Sequence, residues 1–162
     1  MQVASWLDTP SLTSYAANAQ VFGRCDANGN LLDWNGQSSI PRSFADGTSN
    51  TILFGERYGS CGTYMNNGNA SQPGGQSWQW WGYDSAQPNF GVFSIGPGSK
   101  FQIQPAPYQS NCDVFRASTP HSGGMQVSLG DGSVRNLSPS ISTTTWWAAC
   151  TPSGGEVLGN DW

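Results

Sequence analysis

Apolar and polar positions alternate most strictly late in the chain. Met125, Val127 and Leu129 are separated by Gln126 and Ser128, a second run covers Ser133–Leu137, and Gly130-Asp131-Gly132 lies between them. A period of two around a glycine-rich turn predicts a hairpin. After it, Ser142 is a helix cap for Thr143–Cys150, which Pro152 and Gly154-Gly155 bring to an end. Further upstream, Asp46-Gly47 precedes Thr51–Tyr58, whose Ile52, Phe54 and Arg57 lie in a β-rich stretch that predicts a central strand. Near the start, Leu12, Tyr15 and Ala16 share one helical face behind a capping Ser11, and Gly23 stops the pattern, so a short helix is expected over 11–22.

Between these segments the pattern breaks into turns. Asn28-Gly29 and Asn35-Gly36 flank a short extended piece carrying Leu31, Leu32 and Trp34. Tyr64–Gln76 consists of turn-formers almost throughout and reads as a mobile loop, with Asn69-Ala70-Ser71 a glycosylation sequon in form. Three aromatic-rich strands, Ser77–Tyr83, Asn89–Ile95 and Lys100–Gln104, then predict an antiparallel meander. The fold class that results is α+β in a single domain over 1–162. It has a twisted antiparallel sheet over 51–137, two short helices and long loops.

Composition adjusts this picture in one respect. Aliphatic residues are scarce, but aromatics make up 12% of the chain and charged residues only 10%. Bulky rings, each able to bury roughly 150–250 Å², can therefore replace the missing Leu and Ile in a core. The net charge of −4, with no cluster of Lys or Arg, provides no electrostatic footprint for nucleic acid or an anionic membrane. No run reaches the ~18–20 apolar residues of a spanning helix.

Candidate chemistry is sparse. Cys25, Cys61, Cys112 and Cys150 contain no C-x-x-C pair and the chain has a single histidine, so two disulfides and an oxidising compartment are expected rather than zinc. Four cysteines allow three connectivities, of which Cys25–Cys61 with Cys112–Cys150 is expected, each closing a loop of about 36–38 residues worth roughly 3–4 kcal/mol on the chain-entropy model. His121 is the only imidazole from which a catalytic triad could be built, and no G-x-S-x-G elbow accompanies it. Its expected role is structural: to hydrogen-bond a neighbouring backbone group or Asp131, tying the Gly123-Gly124 turn to the hairpin. Glu56, Asp84, Asp113 and Asp131 cannot be sorted into a glycosidase pair by spacing. Asp26-x-Asn28-x-Asn30 lacks the glycine and glutamate positions of an EF-hand, leaving a loop-bound structural calcium at Asp26, Asp33 or Asp131 as the one cofactor the sequence allows. Trp78, Trp80, Trp81 and Tyr83 form the densest aromatic cluster, which serves either as core or as a sugar-stacking platform.

One resemblance joins these pieces. His121, nine residues, then Asp131-Gly132 resembles the signature of a large bacterial family of prepilin-like proteins of unknown function. Phe44–Gly62, with its D-G-T-S-N-T run, Thr143–Trp162 and Ser14–Gly23 resemble further segments of the same family. Members typically start with a pilin-like leader and a long hydrophobic helix, so this chain is similar to their C-terminal globular part, a pseudopilin-like head without its stalk. The resemblance implies a non-enzymatic, exported domain at the cell surface or outside the cell. Its partners would be neighbouring pilin-like subunits or extracellular ligands, with no membrane contact of its own. In it, His121, Gly123, Gly124, Asp131 and Gly132 specify a turn and hairpin. The competing expectation is a secreted carbohydrate-binding module that uses the Trp-rich strand.

Overall fold

A computed structural model describes residues 13–66, 69–75 and 88–162. The protein is α+β, and its main element is a mostly antiparallel five-stranded sheet. The expected central strand is β4 (Ile52–Glu56). On one side β4 pairs with β10 (Met125–Leu129), which pairs in turn with β11 (Val134–Leu137); on the other side lies β1 (Tyr15–Asn18), followed by β7 (Asn89–Phe90). All neighbours run antiparallel except β1 and β7. The β10–β11 hairpin falls where the alternation placed it, because Met125, Val127 and Leu129 are buried while Gln126 is exposed.

The expected helix over 11–22 is corrected. Ser11 and Leu12 lie outside the described residues, Tyr15–Asn18 is strand β1, and only the single turn α1 (Ala19–Phe22) is helical. Ala16 and Ala17 are buried and register against Gly55 and Phe54 of β4, so a distant strand overrides a weak helical pattern. Asn18 makes the switch between strand and helix. Its Oδ1 accepts the Gln20 N–H, while its Nδ2 donates to the Ile52 and Cys150 carbonyls at 2.7 Å each.

Helix α3 (Thr143–Cys150) starts at Ser142 as expected, with Ser142 Oγ accepting the Thr145 N–H at 3.1 Å. Its buried face carries Thr145, Trp146, Ala149 and Cys150, a helical spacing that packs against the sheet. Among the described residues Trp146 is the largest fully buried side chain; its ring lies 5.2 Å from Phe101 and 5.8 Å from Phe90, and its Nε1–H reaches Ser99 Oγ at 3.2 Å. Rings do supply much of the core, beside Ile52, Leu129, Leu137 and Ile141.

Between β4 and β10 the chain departs from expectation. Tyr64–Gln76 is no loop up to Gly75: β5 (Ser60–Asn66) and β6 (Asn69–Gly75) form an antiparallel ribbon. Ladder hydrogen bonds between the two arms outweigh the turn propensity of single residues. The meander is also corrected. Ser77–Tyr83 lies outside the described residues, Asn89–Ile95 contributes only β7, and β8 (Gln102–Ile103) pairs in parallel with β9 (Ser118–Thr119). A further two-stranded sheet joins β2 (Arg24–Cys25) to β3 (Leu31–Asp33). Helix α2 (Tyr108–Asn111) brings the described helices to three rather than two.

The expected disulfide pairing is corrected as well. Cys61 on β5 bonds Cys112 just after α2, with a Cα–Cα distance of 5.2 Å. The longest of the three sequence gaps is the one closed, because the fold packs α2 against the root of the ribbon. Cys25 and Cys150 take no part in that bond.

Candidate functional site

Strand β4 ends in Glu56, a carboxylate buried in the sheet. Carrying a charge into such a place costs several kcal/mol unless partners surround it. Three partners do. Thr119 Oγ donates to Oε2 at 2.7 Å, the Gln126 N–H donates to the same oxygen at 2.9 Å, and His121 Nε2 lies 3.2 Å from Oε1. The His121 N–H in turn donates to Thr119 Oγ at 3.2 Å. The His121 side chain is 63% exposed and the Glu56 side chain 8%, so the imidazole covers the carboxylate from the solvent side. His121 therefore braces the segment leading into β10 against β4, with its ring at Glu56 rather than at the neighbouring backbone group or Asp131 expected for it.

Asp131 works at the opposite end of β10. Its Oδ1 accepts the Ser133 N–H at 2.9 Å and the Ser133 hydroxyl at 2.6 Å, which closes the turn into β11. The Ser133 bonds are the main reason its carboxyl lies below the usual range. Gly132 has φ +85° in that turn. At the start of β10, Gly124 has φ +124°, and a Cβ there would stand 2.1 Å from the Leu137 carbonyl oxygen, so only glycine fits. Gly123 is different: a Cβ would meet nothing, and its carbonyl accepts the Asn136 side-chain N–H at 3.1 Å. The nine residues between His121 and Asp131 are thus the length of one strand plus its two approaches.

Beside Glu56 and His121 opens a cleft of about 420 Å³, bordered by Ser14, Tyr15, Tyr58, Ser60 and Pro120. Arg57 lies under it, fully buried, donating to the Asn89 carbonyl at 2.7 Å and to the Val114 carbonyl. Burial pulls its guanidinium down to about 10, which leaves it charged at neutral pH, and Asp113 opposes the shift. Burial raises the Tyr58 hydroxyl. Among the described residues no hydroxyl or thiol nucleophile is hydrogen-bonded to the His121 ring, whose partner is the Glu56 carboxylate.

The carboxylates weighed for calcium sit in three separate turns. Asp26 accepts from the Asn30 side-chain amide, which is the main reason its carboxyl is held low, and from the Asn30 and Asn28 N–H groups; Asp33 accepts the Asn35 N–H; Asp131 is held by Ser133. Among the described residues no group of three or more His, Cys, Asp or Glu side chains is placed to share a metal ion. Asp113 accepts the Phe115 N–H at 2.9 Å. Asp84, Trp78, Trp80, Trp81 and Tyr83 lie outside the described residues.

Sequence reasoning did not assign Glu56 and Thr119 to this cluster. A glutamate inside a β-rich run is an unusual choice for a central strand, and it was the one available signal. Its partners sit 63 and 70 positions away, which no local pattern reveals.

Fold and site together define a small, disulfide-closed α+β protein in which a histidine and an aspartate brace the two ends of one sheet strand. The chain belongs to the family described as protein of unknown function (DUF1559), whose model matches residues 9–144. No curated protein and no solved structure matches it.

Proposed function

We propose that this protein is a non-enzymatic head domain of a pilin-like or pseudopilin-like subunit, exported and displayed outside the cell, where it contacts neighbouring subunits or extracellular ligands. The observation that carries the proposal is the use made of the H-x9-DG residues. His121 covers the buried Glu56 and Asp131 closes the β10–β11 turn, so among the described residues both side chains are engaged in holding the ends of one strand. The disulfide supports an oxidising compartment, and the family match, which takes in both His121 and Asp131, supports the pilin-like reading. Among the described residues no helix is long and apolar enough to cross a membrane.

The test uses the full-length protein in the cells that make it. Mechanical shearing of intact cells should release it with surface material, and external protease should cut it without lysis. Retention in the cytosol, protected from external protease, would overturn the proposal. A purified chain that shows saturable hits on a glycan array would instead favour the carbohydrate-binding module.

A further inference from the structure

We propose that Cys25 and Cys150 are the two halves of a second disulfide, joining the β2–β3 ribbon to the C-terminal end of α3. The two cysteines border adjacent residues, Ala19 and Asn18. The Cys25 thiol lies 3.7 Å from the Ala19 carbonyl, and the Cys150 carbonyl accepts the side-chain N–H of Asn18 at 2.7 Å. The segments around them also meet. Gly29, in the turn directly after Cys25, lies so close to Trp147 of α3 that a Cβ would stand 2.9 Å from the indole, and its carbonyl accepts Gln20 Nε2–H at 2.8 Å. Four positions after Cys25 and three before Cys150, the two stretches are thus already in contact. With Cys61 and Cys112 joined to each other, Cys25 and Cys150 have only one another as partners within the chain. Bond formation needs Cα atoms within about 4.4–6.8 Å. The adjustment falls on Cys25, which is only half-buried and sits at a register shift of a two-residue strand.

The chemistry balances with a small-molecule disulfide as oxidant. The Cys25 thiolate attacks oxidised glutathione and expels one glutathione thiolate. The Cys150 thiolate then attacks the mixed disulfide at Cys25 and expels the second. Two electrons pass from the protein to the glutathione disulfide, and the two thiol protons end on the two glutathione thiols. Burial pushes the Cys25 thiol up to about 11 and raises Cys150 well above its ordinary value. Thiolates are therefore scarce in the folded dithiol, and the bond closes during folding, while both sulfurs are still accessible.

This proposal is independent of the head-domain reading, and its test does not involve localisation. The chain is refolded in a glutathione redox buffer, denatured without reductant, treated with N-ethylmaleimide, digested and analysed by mass spectrometry. The expected result is an unmodified chain, with a Cys25 peptide linked to a Cys150 peptide beside the Cys61–Cys112 pair. Cys25→Ser should then leave one modifiable thiol, at Cys150, and lower the urea midpoint. Two modified thiols at Cys25 and Cys150 with Cys61–Cys112 closed would overturn the proposal. So would either cysteine linked to Cys61, to Cys112 or to another chain.

Discussion

At the scale of single residues, Glu56 and His121 differ in what they contribute although they touch each other. Removing Glu56 takes the acceptor from the part-buried Gln126 N–H and leaves the Thr119 hydroxyl only its longer 3.4 Å bond to the Gly124 carbonyl. An orphaned buried donor costs about 1–3 kcal/mol. Removing His121 opens one carboxylate oxygen to solvent, which can replace the lost partner; contacts by so exposed a ring are worth about 1 kcal/mol or less. Urea unfolding should therefore show Glu56→Ala losing about 1–3 kcal/mol and His121→Ala under about 1 kcal/mol. Equal losses would mean that the imidazole, and not the strand carboxylate, organises the cluster. The histidine was the visible residue in the sequence because it is the only one. The glutamate mattered more, but its importance depends on burial, and burial is settled by distant strands.

At the scale of elements, the parts legible in the sequence are those stabilised by neighbours in sequence. The β10–β11 hairpin is closed by Asp131, Gly132 and Ser133, and α3 is started by its own cap, all within a few residues. Helix α3 has in addition a partner that its local pattern does not announce. Asp161, near the C-terminus, accepts the Ser142 N–H at 2.6 Å and the Thr145 hydroxyl at 2.6 Å, placing a negative charge at the helix start. The Thr145 bond is the first cause of its lowered carboxyl pKa. A carboxyl whose folded value is depressed stabilises the protein fully above its unfolded value, near 3.9, and that contribution is lost as pH falls through the lower folded value. Acid titration of the folded protein should thus destabilise α3 below about pH 4, with near-full stability above it. Asp161→Asn should flatten this acid limb while leaving the same N-cap bond at Ser142. An unchanged acid limb in the variant would place the sensitivity at Asp26 or Asp131 instead. By contrast β1, the β5–β6 ribbon and the parallel pair β8–β9 owe their conformation to ladders with other strands, so residue propensities misjudged all three.

At the scale of the whole molecule, the Cys61–Cys112 bond ties the ribbon to α2 across a sequence separation of 51 residues. A two-stranded ribbon alone is at best marginally stable in water, so this bond and the packing of α2 hold it to the rest. On the chain-entropy model a loop of this size contributes about 4 kcal/mol. Replacing Cys61 and Cys112 together by serine should lower stability by about that amount, and limited proteolysis should then cut the ribbon before the five-stranded sheet. Simultaneous cleavage everywhere would show that the ribbon and the sheet unfold as one unit.

By itself, the sequence determined the α+β class, the central strand, the hairpin and the capped C-terminal helix. These follow from side-chain periodicity and turn chemistry, which act over a few residues and do not depend on what packs against them. The aromatic composition likewise announced a core built on rings, and Trp146 with Phe90 and Phe101 fills that role. Only the tertiary structure decided which cysteines meet, that Tyr15–Asn18 is a strand, and that His121 covers Glu56 rather than reaching Asp131. Each of those outcomes joins residues tens of positions apart. Their free energy lies in sheet pairing, burial and satisfied buried charge, quantities that exist only once the chain has closed on itself.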